Sequence, residues 1–255
     1  FITSFEELSM KQFLSVILIF FFSSTSLYSQ NIIRIKIVFF PFKEAIISSR
    51  VESVLLPYNL KIGEKFAENT VIATLDSTRF NIIMRRVTAQ YEFAKSNFED
   101  KKKLRAENIT SDFEVKKSEF EYKLLENDLA DAKLNLSYCT IQAPFPGKIT
   151  EILTREYETA RVGQPLLKII NDNKLLGIMN VPMTLKGLTT IGAPIKINLP
   201  NYKIQATGTI YEINPQADHR TETVRVTVLI DNTSGIYKAG MTGEVPILPL
   251  ARKKK

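Results

Sequence analysis

Side chains able to do chemistry are sparse in this sequence. It holds one cysteine, Cys139, and one histidine, His219. These two cannot build a zinc site of the usual Cys/His kind, and a lone cysteine closes no intrachain disulfide. Cys139 lies in a strand-like stretch and reads as a buried, inert thiol. Met179 and Met183 are spaced like helix neighbours, as in a relay for soft cations. Val181-Pro182 between them argues against a helix, so packing is the preferred role. Carboxylates are plentiful but fall mostly on predicted helices, where pairs arise by chance. There is no G-x-S-x-G elbow, P-loop, Gly-rich dinucleotide turn or His-rich signature. The residue types therefore predict no enzyme, no catalytic residue, no metal and no cofactor.

The elements that would position any site are more informative. The chain has 255 residues and a net charge of +7. The bases are scattered, and no aromatic-plus-basic module stacks bases, so nucleic acid is not an expected partner. The basic tail 251–255 suits either anionic lipid or a solvated end. At the other end, Met10-Lys11 precedes an apolar run, Phe13 to Phe22, and a small, polar stretch, Ser23 to Ser29. Residues 10–29 read as a secretory signal, with cleavage after Ser29 expected and an uncleaved anchor as the alternative. Residues before Met10 read as upstream sequence. The apolar run is short for a membrane span. No cysteine follows it to carry a lipid, and export without disulfides fits a bacterial periplasm.

From Phe80 to Ala106 there is neither Gly nor Pro. Apolar residues fall at Phe80, Met84, Val87, Tyr91, Ala94 and Phe98, alternating four and three. Val115, Tyr122, Leu125, Leu129, Ala132 and Leu136 repeat the habit. Such narrow seams predict two helices packed on each other, with charged outer faces. The short connection makes them antiparallel, the first arm being roughly 40 Å long at 1.5 Å per residue. Ser111-Asp112-Phe113-Glu114 reads as a capping box opening the second helix. A pair with so little core of its own must project from something or pack on copies of itself.

The flanks of this pair match each other. Ser53 to Asp76 aligns without a gap on Gly147 to Ile170. Leu55 falls on Ile149, Asn69 on Gly163, and the two apolar ends coincide. Each flank reads as strand, turn, strand, with Gly63 and Gly163 in turn-like contexts. The chain thus builds half a domain, sends out a hairpin, and returns at Thr140-Ile141 to finish it.

The segment Ile141-Gln142-Ala143-Pro144-Phe145-Pro146-Gly147 resembles the return strand of the periplasmic adaptor, or membrane fusion protein, family of the HlyD type. Ala73-Thr74-Leu75-Asp76 is similar to the strand that feeds that family's hairpin. Ile213-Asn214-Pro215, Thr221 to Val226, Asn232 and Lys238-Ala239-Gly240-Met241 resemble its β-barrel domain. The resemblance runs from about Ala45 to Leu248. Its structural positions here are Ala143, Pro144, Phe145, Gly147, Gly63, Gly163, Gly240 and Met241. Departures are Ser53 and Tyr157 where the family usually has Gly, Glu222 for Arg, and Ala239 for Pro.

The resemblance implies a mainly β fold with a long α-helical hairpin. Residues 45–79 and 137–170 would form a split lipoyl-like sandwich, and 80–136 an inserted antiparallel coiled coil. Residues 30–44 and 171–250 would form a β-barrel domain. It implies an oligomeric ring in the Gram-negative periplasm, associated with the inner membrane. One end would meet an inner-membrane transporter, with the RND class favoured over the ABC class, and the hairpin tip an outer-membrane channel. Arg105, Asn108, Ile109, Thr110 and Ser111 are the tip residues expected to touch the channel, approximating the family's Arg–Leu–Ser pattern. Asn108 and Ser111 also suit a turn and a cap. The family's membrane-proximal domain would follow the barrel, and the short stretch after Met241 leaves a short member and a truncation both open. A metal-efflux adaptor and a lipoyl or biotinyl carrier are the competing functions. The carrier needs a Lys on the turn that the hairpin replaces.

Overall fold

The computed structural model describes residues 33–185 and 190–247. The expected signal and basic tail lie outside these residues. In chain order the strands are β1 (Ile33–Ser48), β2 (Ser53–Val54), β3 (Lys65–Phe66) and β4 (Val71–Thr74). Two helices follow, α1 (Thr78–Ala106) and α2 (Asp112–Ser137). Then come β5 (Thr140–Gln142), β6 (Gly147–Ile152), β7 (Thr159–Ala160) and β8 (Pro165–Pro182), and finally β9 (Pro194–Leu199), β10 (Ile204–Asp218), β11 (Thr223–Asp231) and β12 (Thr242–Ile247). The fold is mainly β with two helices.

Three apolar clusters organise the chain. The largest fills a closed barrel. Strands β1, β12, β9, β10, β11 and β8 pair in that order, and β8 pairs back onto β1. Closure removes the free edges that an open sheet exposes. Along β9 and β11 buried and solvent-facing residues alternate, as the strand period of two requires. Ile37, Phe39, Leu175, Met179, Ile197 and Val228 meet inside. The segment Lys238–Met241 is tied to β1, with Gly240 N–H donating to Phe39 O at 2.7 Å and Phe39 N–H donating to Met241 O at 2.9 Å.

The second cluster fills a small sandwich with internal pseudo-two-fold symmetry. Its register is that of the gapless alignment of the two flanks. Ser53 and Val54 pair with Ala160 and Thr159, and their counterparts Gly147 and Lys148 pair with Phe66 and Lys65. Val71, Ala73 and Thr74 pair with Gln142, Ile141 and Thr140. The equivalent set is Pro165, Leu167 and Lys168 with Ser48, Ile47 and Ile46. Even the bulge recurs at the same place. The turns agree as well. Asn69 N–H donates to Ala143 O at 2.9 Å, and Gly163 N–H to Ser49 O at 2.7 Å. Gly63 N–H donates to Ile149 O and Tyr157 N–H to Leu55 O, both at 2.8 Å. Equivalent positions are fully buried in both halves and belong to one cluster: Leu55 and Ile149, Ile72 and Leu166, Leu75 and Ile169. Each such side chain contributes about 1.5–3 kcal/mol relative to exposure.

The departures at Ser53 and Tyr157 have local explanations. A Cβ on Gly147 would sit 2.2 Å from Ile170 O. At the equivalent Ser53 the Oγ donates to Asp76 O at 2.7 Å, so the ladder there accommodates a side chain. Tyr157 keeps the left-handed backbone of its counterpart Gly63, with φ of 66° against 85°. That conformation costs a non-glycine residue about 1–2 kcal/mol.

The two continuous strands β1 and β8 run from barrel into sandwich, pairing with each other in both. At the two-fold-related position β4 and β5 lead into the helices. The third cluster is the seam between α1 (29 residues) and α2 (26 residues). Val87 packs with Leu129 and Ala132, Tyr91 and Phe98 lie against Tyr122, and Lys101 reaches Glu114 at 3.5 Å. These contacts fix the pair as antiparallel. Every residue of the expected seam is buried or half-buried. Ser118 is buried there too, its Oγ donating to Val115 O at 2.9 Å.

Candidate functional site: the helical tip

The turn between α1 and α2 is built by backbone chemistry before any side chain acts. Helix α1 ends at Ala106, and Asn108 takes φ of 61°. Asn108 N–H then donates to Arg105 O at 3.0 Å, and Ile109 N–H to Leu104 O at 2.8 Å. This pair of bonds is a Schellman closure, with Asn in the left-handed position usually given to Gly. Ser111 caps α2, its Oγ accepting from Glu114 N–H at 3.3 Å. The expected reciprocal bond from Glu114 is replaced, because its carboxylate turns to Lys101 across the seam.

Arg105 is a brace. Its Nε donates to Asp112 Oδ1 at 2.5 Å and its Nη2 to Oδ2 at 3.2 Å, while Nη1 reaches Asn108 Oδ1 at 3.2 Å. Two parallel bonds to one carboxylate are the fork geometry of guanidinium. The hydrogen bond to Asp112, and then its charge, raise the Arg105 pKa. In return the Asp112 carboxyl is held below the usual aspartate range. Among the expected tip residues, Arg105, Asn108 and Ser111 thus have internal partners. Ile109 projects outward, 66 % exposed, and Thr110 is half-buried. Sequence reasoning missed Phe113, in the first turn of α2, which is 72 % exposed. A large aromatic at the second position of a solvated helix is a signal the sequence already carried. The tip can therefore offer an apolar pair held on a charge-braced turn.

The other residues with chemical potential are dispersed. Met179 is buried in the barrel and Met183 is exposed. His219 lies at the turn joining β10 to β11. Burial raises the Cys139 pKa, helped by nearby Asp76. Among the described residues, no three His, Cys, Asp or Glu side chains gather as a metal site. No described helix is long and apolar enough to cross a membrane. Between β4 and β5, where a carrier would present its Lys, stand the two helices.

A closed barrel, a two-fold sandwich and a helical pair leaving from its middle place the chain among proteins with the membrane fusion fold. Residues 178–249 match the family model of the CusB-like β-barrel domain. In structure the chain is similar to a MacA–MexA chimera carrying the Pseudomonas aeruginosa MexA α-hairpin domain. That match has TM-score 0.75 and 14 % identity, covering 86 % of this chain and 79 % of the other. It is also similar to the membrane fusion protein Spr0693 of Streptococcus pneumoniae R6, at TM-score 0.67 and 13 % identity, over 84 % and 97 % of the two chains. In sequence it is 21 % identical over 226 residues to nodulation protein NolF of Rhizobium meliloti (strain 1021). That alignment takes in 83 % of this chain and 62 % of NolF, less than two thirds of the relative's length. The resemblance to membrane fusion proteins thus holds in the fold, and the Gly-Met segment lies within the matched β-barrel domain.

Proposed function

We propose that this chain is the periplasmic adaptor of a tripartite efflux or secretion pump, joining an inner-membrane transporter to an outer-membrane channel. In this reading residues 45–79 and 137–170 form a lipoyl-like sandwich, 80–136 a coiled-coil hairpin, and 30–44 with 171–250 the barrel. Several copies stand side by side as a ring. The protein does no chemistry of its own. It seals and aligns while the transporter supplies energy. The observation that carries the reading is the helical pair sent out from between two symmetric half-sandwiches, with an apolar pair, Ile109 and Phe113, exposed at its far end. The CusB-like match of the barrel segment supports a partner of the RND class. A partner of the ABC class is the alternative. A metal-efflux role finds no support in Met179 and Met183, one buried in the barrel and the other exposed.

The test is a crosslink in cells from a single cysteine at the tip, Asn108→Cys with Cys139→Ala. Ala is the residue at the two-fold equivalent of Cys139, position 45. An adduct with an outer-membrane channel is the expected result. Its absence in folded, exported protein overturns the docking assignment. Ile109→Asp is expected to abolish export while the helical circular dichroism signal stays at the parent level. Loss of that signal would make the residue structural.

A further inference from the structure

Strands β1 and β8 cross from the barrel into the sandwich, and their pairing breaks where they cross. Pro41 stands opposite Leu175 on the barrel side, and Lys43 opposite Asn171 on the sandwich side. Between these levels β1 spends one residue, Phe42, and β8 spends three, Asp172 to Lys174. Pro41 has no N–H to give to the ladder, and a bulge bends and twists the strand that carries it. A two-strand ribbon interrupted in this way is a joint. Short segments of this kind absorb the dihedral changes of domain motion.

The longer side of the bulge is gripped from both units. From the sandwich, Lys148 on β6 donates from Nζ to Asp172 Oδ2 at 2.6 Å. From the barrel, Asn232 donates from Nδ2 to Asp172 O at 2.7 Å, and its backbone N–H donates to Asn173 O at 2.9 Å. Asn232 directly follows β11 and is itself bonded twice to the backbone of Tyr237. The Tyr237 ring meets Phe39 of β1 edge-on, with 6.1 Å between centroids, and its hydroxyl donates to Gln205 O of β10 at 2.8 Å. Within the bulge, Asn173 N–H donates to Asn171 Oδ1 at 3.1 Å. Asp172 is thus held by its carboxylate to one unit and by its carbonyl to the other.

The Lys148–Asp172 pair is the most buried ion pair among the described residues, its side chains 23 % and 15 % exposed. Salt screens such a pair little. A buried ion pair adds little net stability over a well-packed apolar pair, although removing one partner strands the other. What it supplies is direction. Apolar side chains slide past one another at small cost, whereas a charge-assisted hydrogen bond weakens as donor and acceptor leave line.

We propose that Asp172 is the lock of this joint, fixing the angle at which the barrel meets the sandwich. Lys148 and Asn232 are its two anchors. With the carboxylate anchor gone, the barrel stays tied by β1, β8 and Asn232, but it swings about Phe42 and Asp172–Lys174. The swing is relative to the sandwich and to the helices that leave it. The lock belongs to the single chain. Its consequence, that the barrel and the helical tip are held in line, rests on the adaptor reading.

The test is the distance between two nitroxide labels, read by pulsed electron paramagnetic resonance on the purified full chain. The labels sit on Glu68→Cys in a sandwich turn and Thr207→Cys on β10 of the barrel, with Cys139→Ala. Both labelled positions are exposed. The parent is expected to give one narrow distribution. Lys148→Met keeps the side-chain stem and removes the charge. It is expected to widen the distribution by about twofold or more as the joint is freed, with the circular dichroism spectrum unchanged. Asp172→Asn keeps the side-chain shape and the carbonyl that Asn232 binds, and is expected to widen it in the same way. If Lys148→Met fails to fold, Asp172→Asn decides. Lys168→Met is the control, because it breaks an ion pair with Glu44 that lies within the sandwich, and it is expected to leave the width at the parent value. Two outcomes overturn the proposal. An unchanged width in folded Lys148→Met and Asp172→Asn means that the strands and Asn232 alone set the angle. Equal widening in Lys168→Met means that the sandwich as a whole has loosened and that Asp172 is no lock. The tip crosslink to a channel is read separately, so the lock and the adaptor reading fail independently.

Discussion

Replacing Gly147 by Ala tests the two-fold sandwich where its packing is tightest. The new Cβ would meet Ile170 O at 2.2 Å and Ile170 C at 3.0 Å, with the Phe66 ring at 3.5 Å. The nearest obstacle is backbone, in the ladder where Lys148 pairs with Ile170. To reach an ordinary contact the carbonyl must retreat by about 1 Å, an overpacking cost of about 1–3 kcal/mol. A weakened ladder hydrogen bond adds about 1 kcal/mol. Reduced freedom of the unfolded chain returns about 0.4–1 kcal/mol. The net expectation is about 2–3 kcal/mol of destabilisation, or about 4–12 °C in Tm for a chain of this size. The internal control is the symmetric position. Ser53→Ala removes one exposed hydrogen bond and is expected to cost about 0.5–1.5 kcal/mol. Both are read by urea unfolding followed through tyrosine fluorescence, as the chain has no Trp. If Gly147→Ala unfolds within about 0.5 kcal/mol of the parent protein, a scale at which surface substitutions normally lie, the strand spacing argued here is wrong.

Other expectations concern separate parts of the molecule. Tyr157→Gly relieves a left-handed non-glycine residue whose side chain is 70 % exposed. Against the greater unfolded-state freedom of Gly, it is expected to stabilise by up to about 1 kcal/mol in the same unfolding assay. Asn232 is buried, its Nδ2 donating to Asp172 O at 2.7 Å and Tyr237 O at 2.8 Å, and its Oδ1 accepting from Tyr237 N–H at 2.9 Å. Asn232→Ala leaves three backbone groups without these partners and is expected to cost at least about 3 kcal/mol. Asp112 is held below the usual aspartate range chiefly by its hydrogen bond from Arg105. Such a depressed carboxyl stabilises the fold above its unfolded pKa, and the contribution is lost as pH falls through the lower folded value. An NMR titration is expected to show the Asp112 midpoint below that of an ordinary aspartate, and Arg105→Gln to raise it. An unchanged midpoint in the variant would contradict the brace.

Much of the architecture was legible because its causes are local. The helical seam depends only on which residues recur at three and four, and Phe80 through Leu136 carried that pattern openly. The flanking repeat was legible as a gapless match, since each half must satisfy the same turns and bury the same side chains. Asn69 opposite Gly163 marks a left-handed turn in both halves. The Ser111 cap was equally plain. Relations set by tertiary geometry were not legible. Nothing in the spacing of Arg105 and Asp112 says that the Schellman turn brings guanidinium and carboxylate together, so Arg105 looked free for a partner. The capping residue Glu114 was drawn off by Lys101, which meets it only once the helices are antiparallel. Closure of the barrel depends on β1 pairing with both β12 and β8, which are remote in sequence, and on β1 and β8 continuing into the sandwich. The sequence by itself determined the periodic elements and the repeat, because hydrophobic spacing and turn chemistry act within a few residues. Only the tertiary structure decided which charges are already spent on each other and which apolar side chains still face solvent, because both depend on how distant segments stand against one another.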